Sequence, residues 1–328
     1  MKKISVLLLT FVFVLTFAGM GSAEEYPSGP IEMIAPSGAG GGWDTTIRST
    51  AKVLEDQDLI DVPLPVKNLS GAGGGVALAD MQTKEGEARS LIVYSPPLLL
   101  INLTGQTEYS YKDLTPISNL IQDYGVFAVS KDSKYDNINE VMEVLKEDPT
   151  AITIGGASSP GSMDHIQFLI AAREAGVTDL KKINYVSFQE GQALSNLLGG
   201  HIDMVSTGMA ELAGLIKSGD INGLAVTSEE RIETGAMQQV PTLIEEGINT
   251  TFINWRGIFG PPNMPEDKIE FWEDKLYKMT QTDQWDDIAD KNGWTKKYRN
   301  SEEFASFLEK TNEDYKVILK EIGMYRQK

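Results

Sequence analysis

Apolar positions along the chain switch repeatedly between short extended runs and helical spacing, the alternation of an α/β protein with mostly parallel strands. Residues 31–35 form the first apolar run, 64–66 the second and 91–95 the third. Residues 45–55 carry helical spacing, with Asp44 placed as the N-cap. Further strand-like runs at 126–130, 151–154, 184–188, 203–206 and 224–227 interleave with helical segments at 139–146, 162–175, 192–198 and 210–217. In the 139–146 segment Val141, Val144 and Leu145 fall on one face. A long extended segment at 252–259 stops at Gly260-Pro261-Pro262. Beyond Pro265 the spacing is helical, apart from an interruption at 293–298.

No low-complexity tract, short repeat or Pro/Ser linker divides the chain. Two lobes would therefore be joined by ordered strands rather than by a tether. A middle lobe inserted into a discontinuous first lobe satisfies this: lobe 1 at 24–124 and 251–328, lobe 2 at 125–250, with crossings near 123–127 and 252–257. Lobes joined in this way close over a ligand by hinge motion.

Ahead of the first strand, Lys2 and Lys3 precede an apolar run from Ile4 to Ala18, and Gly21-Ser22-Ala23 offers a small-residue cleavage site. Residues 1–23 thus read as a signal peptide cut near Ala23. The run is shorter than the ~20 apolar residues of a membrane span. A periplasmic, freely diffusing protein is expected. The 328 residues include no cysteine, which excludes disulfides and a lipid-modified N-terminal cysteine alike. Against 29 Lys and Arg stand 47 Asp and Glu, a formal net charge of -18. Such a surface repels nucleic acid and anionic lipid. An anionic solute would have to be held by local N–H donors, within a Debye length of ~8 Å.

Strand-to-helix loops supply such donors. Two are glycine-rich: Pro36-Ser37-Gly38-Ala39-Gly40-Gly41-Gly42-Trp43-Asp44 and Asn68-Leu69-Ser70-Gly71-Ala72-Gly73-Gly74-Gly75. Successive glycines permit positive φ and close approach to bare N–H groups, and a helix start adds the positive end of its dipole. Either loop alone reads equally well as an ordinary connection. A third, 155–162, contains Ser158, Gly161 and Ser162 and leads into a helix carrying His165. The plainer reading makes Ser162 a cap and His165 a packing residue; if His165 instead donates as a cation, affinity should weaken as pH rises. A fourth loop, 187–192, holds Gln189, and a fifth is Ser206-Thr207-Gly208. Open α/β sheets bind ligands at such carboxyl ends of strands. Two lobes presenting them across a cleft could hold two carboxylates of one small molecule. Trp43 reads as cleft wall or as core, Trp255 as core. Arg48, Arg173 and Arg256 are the arginines placed to meet a carboxylate.

Enzyme signatures do not complete. Starting at Gly38 or at Gly71, the sixth position of G-x-G-x-x-G is Trp43 or Val76, and no P-loop ending follows. A nucleophile elbow fails at Pro160. With only His165 and His201 and no cysteine, a zinc site is not expected, nor is any cofactor. Acidic residues abound, but no spacing singles out a glycosidase pair; the enzyme reading that names its residues is a secreted serine hydrolase using Ser162 with His165.

The chain resembles the extracytoplasmic solute receptors of the tripartite tricarboxylate transporter system, the Bug-type binding proteins. The likeness runs from Tyr26 to Gly323 through Gly40-Gly41-Gly42-Trp43-Asp44, Ser70-Gly71-Ala72-Gly73-Gly74, Gly161-Ser162-Met163-Asp164-His165 and Leu197-Leu198-Gly199-Gly200-His201-Ile202-Asp203. Val240-Pro241-Thr242-Leu243, Asn254-Trp255-Arg256-Gly257 and Asn292-Gly293-Trp294 extend it. The resemblance implies a type II periplasmic binding fold and capture of a di- or tricarboxylate such as citrate. It implies docking of a monomeric receptor on a permease of large and small integral subunits. Binding residues carry over to Gly40, Gly41, Gly42, Trp43 and Asp44, to Ser70, Ala72 and Gly73, to Ser158, Gly161, Ser162 and His165, and to Gln189, Ser206 and Gly208. Ser95, before Pro96-Pro97, joins them at the presumed cleft, where this chain is stiffer than its relatives. A binding protein feeding a sensor kinase would need the same closed form.

Overall fold

The computed structural model describes residues 26–188, 192–233 and 235–326. The leader expected at 1–23 and the candidate Gln189 lie outside the described residues. The chain opens with β1 (Glu32–Ala35), α1 (Gly42–Asp56), β2 (Val66–Asn68), α2 (Gly75–Gln82), β3 (Ser90–Tyr94) and α3 (Pro97–Leu103). β1 lies between β2 and β3, parallel to both. Next come β4 (Thr115–Ser130), α4 (Ile138–Glu147), β5 (Thr153–Gly156), α5 (Met163–Glu174), β6 (Asn184–Ser187), α6 (Gln192–Leu198), β7 (Met204–Gly208), α7 (Met209–Ser218) and β8 (Ile221–Val226). β9 (Ile253–Gly260), α8 (Glu266–Thr280), α9 (Asp283–Asn292), β10 (Thr295–Arg299) and α10 (Ser301–Glu321) follow.

The 16-residue β4 is common to two sheet halves. Its residues 115–124 pair antiparallel with β9, and 119–122 also with β10; its residues 125–130 pair antiparallel with β7 and β8. Where the chain passes between the halves, the Gly125 amide donates to Thr227 Oγ1 (2.8 Å), and that hydroxyl donates to the Phe252 carbonyl (2.7 Å). The Phe252 amide returns a bond to Thr227 O. One threonine thus ties both crossing segments. The architecture is the mixed α/β periplasmic binding protein fold.

Strand side chains alternate between faces, and here both faces are covered. Met33 and Ala35 pack with Ile47, Val53 and Leu54 of α1 and Trp272 of α8, while Ile34 joins Ile92, Tyr94 and α3 on the opposite side. Phe127 and Val129 of β4 share that second core with Trp255, Phe259 and Phe304; Val126 and Ala128 face Leu212 and Ile216 of α7. This two-sided burial explains the near-continuous apolar strands.

Three features depart from the periodicity. Helix α1 begins at Gly42 with Gly41 as N-cap, so Asp44 sits inside the first turn instead of capping it. Pro96-Pro97 opens a buried helix, α3, because proline suits a first turn whose N–H groups lack partners. The interruption at 293–298 is an edge strand, β10, whose lysines left no apolar pattern to read.

Phe304 is fully buried, its ring 5.5 Å from Trp255 and 5.1 Å from Phe259. Phe304→Ala is expected to cost about 3–5 kcal/mol in urea unfolding, and a loss under about 1 kcal/mol would contradict this packing.

Candidate functional site

The first glycine loop is closed from within. Gly40 takes φ +84°, and its amide donates to Asp44 Oδ2 at 2.9 Å. The same carboxylate receives Arg48 Nε on both oxygens (2.8 and 2.9 Å) and Asn68 Nδ2 (2.8 Å). Asn68 Nδ2 also donates to Ser37 O, so β2, the loop and α1 share one knot. Burial works to raise the Asp44 pKa, but bonds from Arg48, Gly40 and Asn68 outweigh it and hold the carboxyl below its usual range. Beside the knot, Trp43 Nε1 donates to the buried Ser95 Oγ (2.8 Å), and the Trp43 ring packs edge-on to Tyr94.

The second glycine loop is open. Gly71, Ala72, Gly73 and Gly74 all have positive φ (134°, 49°, 62° and 100°), a run that turns successive amides to one side. Gly74 N bonds Gly71 O, but the amides of Ala72 and Gly73 meet no acceptor among the described residues. Ser70, Ala72 and Gly73 are exposed. Tyr94 Oη donates to Gly74 O (2.7 Å) and fixes the turn beneath. A Cβ on Gly74 would lie 3.4 Å from the Trp43 ring, which places this turn next to the start of α1.

The third loop repeats the device of the first. Asp164 Oδ2 accepts from the amides of Ala157 and Ser158 (2.9 Å each), and Ser158 Oγ accepts from the Asp164 amide (2.9 Å). Ser158 O accepts from Tyr185 Oη. Burial pushes Asp164 up to about 7, with the charge of Glu211 adding to it and the Ser158 and Ala157 amides opposing. Asp164 Oδ1 is buried without a partner. Ser206, fully buried, donates to Asp164 O (2.6 Å) and accepts from Gln167 Nε2 (2.9 Å).

His165 corrects an expectation. Its Nδ1 accepts from the Gly161 amide at 3.0 Å, its ring stacks on Tyr185 at 4.4 Å, and burial pushes its pKa down to about 4. The imidazole is therefore neutral and cannot act as a cationic donor at neutral pH. Its lone pair is spent on a backbone amide, so it cannot serve Ser162 as base. Ser162 caps α5 through its backbone alone.

At the crossing strands the two halves meet around a charge cluster the sequence reading did not assemble. Arg256 on β9 donates Nη1 to Gly42 O and Thr46 Oγ1 (3.0 Å each), and its Nη2 lies 3.5 Å from Asp123 Oδ2. Asp123 is 1% exposed, and Asn254 Nδ2 donates to it at 3.4 Å. Burial pushes Asp123 up to about 6, against the pull of the Arg256 charge. Glu211, on the first turn of α7, accepts from Thr207 Oγ1 (2.8 Å). Gly208 stands between these acids on β7. An acid lying between Leu120-Ile121 and the apolar strand at 126–130 was the signal that could have found Asp123; Glu211 looked like any acid at a helix start.

The sequence pattern of the Tripartite tricarboxylate transporter family receptor matches residues 48–324. The chain belongs to this family. Its members are non-catalytic solute-binding receptors, which with the His165 geometry removes the hydrolase reading. A Cupriavidus necator protein, "UPF0065 protein in gbd 5'region", is 26% identical over 308 residues, 92% of this chain and 90% of that one. A TctC solute binding protein from Polaromonas, solved without ligand, is 27% identical with a TM-score of 0.73, covering 90% of this chain and 99% of that one. MatC from Rhodopseudomonas palustris, solved with bound malate, is 18% identical with a TM-score of 0.76, covering 90% of this chain and all of that one.

In this receptor the arginines named from sequence are all engaged inside the protein: Arg48 with Asp44, Arg173 with Glu321 and Arg256 with Asp123. Gly40, Asp44 and Ser206 likewise spend their hydrogen bonds internally, so they shape loops. Gly41 and Gly42 begin α1, and a Cβ on Gly42 would strike Arg256 Nη2 at 2.6 Å.

Because protonation of His165 is disfavoured in the folded receptor, its stabilising contribution is complete above about pH 6.5 and is lost as pH falls towards 4. An NMR titration of the ring should give a midpoint of about 4. A midpoint at or above its ordinary value of about 6.5 would contradict the buried, neutral ring.

Proposed function

We propose that the receptor captures a small di- or tricarboxylate, with citrate the specific candidate, and presents it to the large and small integral subunits of a permease. The observation that carries this reading is the open turn at 71–74, where two exposed amides have no acceptor among the described residues. Paired N–H groups in a positive-φ turn form an anion site, and the adjacent start of α1 adds its dipole. These donors act at contact range, where the global charge of -18 matters least.

MatC, of the same fold, was solved with malate, a dicarboxylate, and family membership supports delivery to a permease. In this reading residues 1–23 are removed near Ala23 on export. The lobes at 24–124 with 251–328 and at 125–250 close about the crossing that Thr227 ties.

A thermal-shift series of organic acids tests the class, since a ligand at about 100 times its Kd stabilises by about 2.7 kcal/mol. Gly41 has φ -70°, and a Cβ there meets only Ser37 Oγ (3.3 Å) and loop atoms beyond it, so Gly41→Val should fold. Gly73→Val puts a branched side chain at φ +62° with its Cβ 3.1 Å from Ile101 Cγ2, so the turn that presents the open amides must shift. Each is expected to weaken binding at least about tenfold, about 1.4 kcal/mol. Unchanged affinity in both folded variants would overturn the site.

A further inference from the structure

The floor of the junction between the halves is rich in acceptors and poor in donors. Two carboxylates, Asp123 and Glu211, share one buried cation, Arg256, which already donates to Gly42 O and Thr46 Oγ1, while Asp164 feels the charge of Glu211 with no cation beside it. The Glu211 charge is felt by all three of the others, so the four groups form one electrostatic unit. Two buried acceptors in or beside it have no donor among the described residues: Asp164 Oδ1 on a side chain 2% exposed, and Asn254 Oδ1 on one 4% exposed. Asn254 donates its amide nitrogen to Asp123, so the orphaned oxygen belongs to a buried side chain that adjoins the cluster. A buried acceptor left without a donor destabilises the protein that holds it.

The floor also has a gap the width of a side chain at the buried Gly208. A Cβ on Gly208 would stand 3.5 Å from Asp123 Oδ2 and 3.9 Å from Glu211 Oε1, with no other atom nearer beyond its chain neighbours. Gly208 has φ -72°, so backbone strain does not require glycine here. What its missing side chain leaves is space between two carboxylates, at the start of α7 and across from the start of α1. Among the described residues no three acidic or imidazole groups converge to ligate a metal ion. An organic donor fits the acceptors.

We propose that the space beside Gly208 takes a hydrogen-bond donor of the solute, a hydroxyl or an ammonium group. The receptor then selects carboxylates that carry such a donor over their plain counterparts. This rests on the carboxylate reading above and sharpens it. A site built to bond a donor rejects the analogue that lacks it far more strongly than a methylene mismatch, because its acceptors stay unpaired.

The test is calorimetric titration of the intact receptor with matched acids: aspartate and malate against succinate, and citrate against tricarballylate. The donor-bearing member of at least one series should bind at least about tenfold more tightly. Aspartate above malate would identify an ammonium, malate above aspartate a hydroxyl, and either supports the proposal. Gly208→Ala puts a methyl at ordinary contact distance from both oxygens and should reduce the preference to within about threefold. Glu211→Gln keeps an acceptor for Thr207 and should cut the preference several-fold if Gly208→Ala does not fold. Equal or tighter binding of succinate and tricarballylate overturns the proposal while leaving a carboxylate receptor standing. A preference unchanged in the folded variants overturns it as well. If no acid of either series binds, the functional reading falls and takes this proposal with it.

Discussion

Two carboxylates bound to the backbone of their own loops set the shape on which everything else in this receptor depends. Asp44 takes the Gly40 amide and Asp164 takes those of Ala157 and Ser158, each from the first turn of the helix that follows. A charge-assisted bond to backbone N–H is among the stronger ones available to a loop. Here it replaces the side-chain cap that neither Gly41 nor Ser162 provides. The donors a glycine-rich loop seems to offer a ligand are, in these two loops, partly occupied by the protein. The turn at 71–74 meets no such acid among the described residues, and its Ala72 and Gly73 amides remain open.

Arg256 carries the second constraint. It reaches from a crossing strand to the start of α1 and to Asp123, so it joins the sheet junction to the loop that flanks the open turn. Buried acids with one cation among them are expensive to desolvate, and removing the cation leaves them uncompensated. The packing shows how closely the guanidinium is fitted: Gly42 has room for no Cβ beside it.

The alternation of apolar runs with helical spacing made the fold class legible, because strands covered on both faces leave long apolar stretches. It did not show the first ten residues of β4, where Pro116, Asn119, Gln122 and Asp123 interrupt the apolar pattern, although tertiary pairing with β9 makes them strand. The glycine loops were legible as places of special backbone. Which of their amides are free was not, since that depends on where Asp44 and Asp164 point. His165 shows the same limit: its position suggested a donor, and only the Gly161 amide at its Nδ1 reveals an acceptor. The acidic junction was hidden because its members come from β4, α5, α7 and β9, far apart in sequence.

The most direct test of the central claim is the amide spectrum of the 15N-labelled receptor during titration with a carboxylate that binds it. The resonances of Ala72 and Gly73 should shift strongly and saturate with the binding isotherm, while the Gly40 and Ser158 amides, already bonded to Asp44 and Asp164, move little. A saturating titration that leaves Ala72 and Gly73 in place would contradict the account.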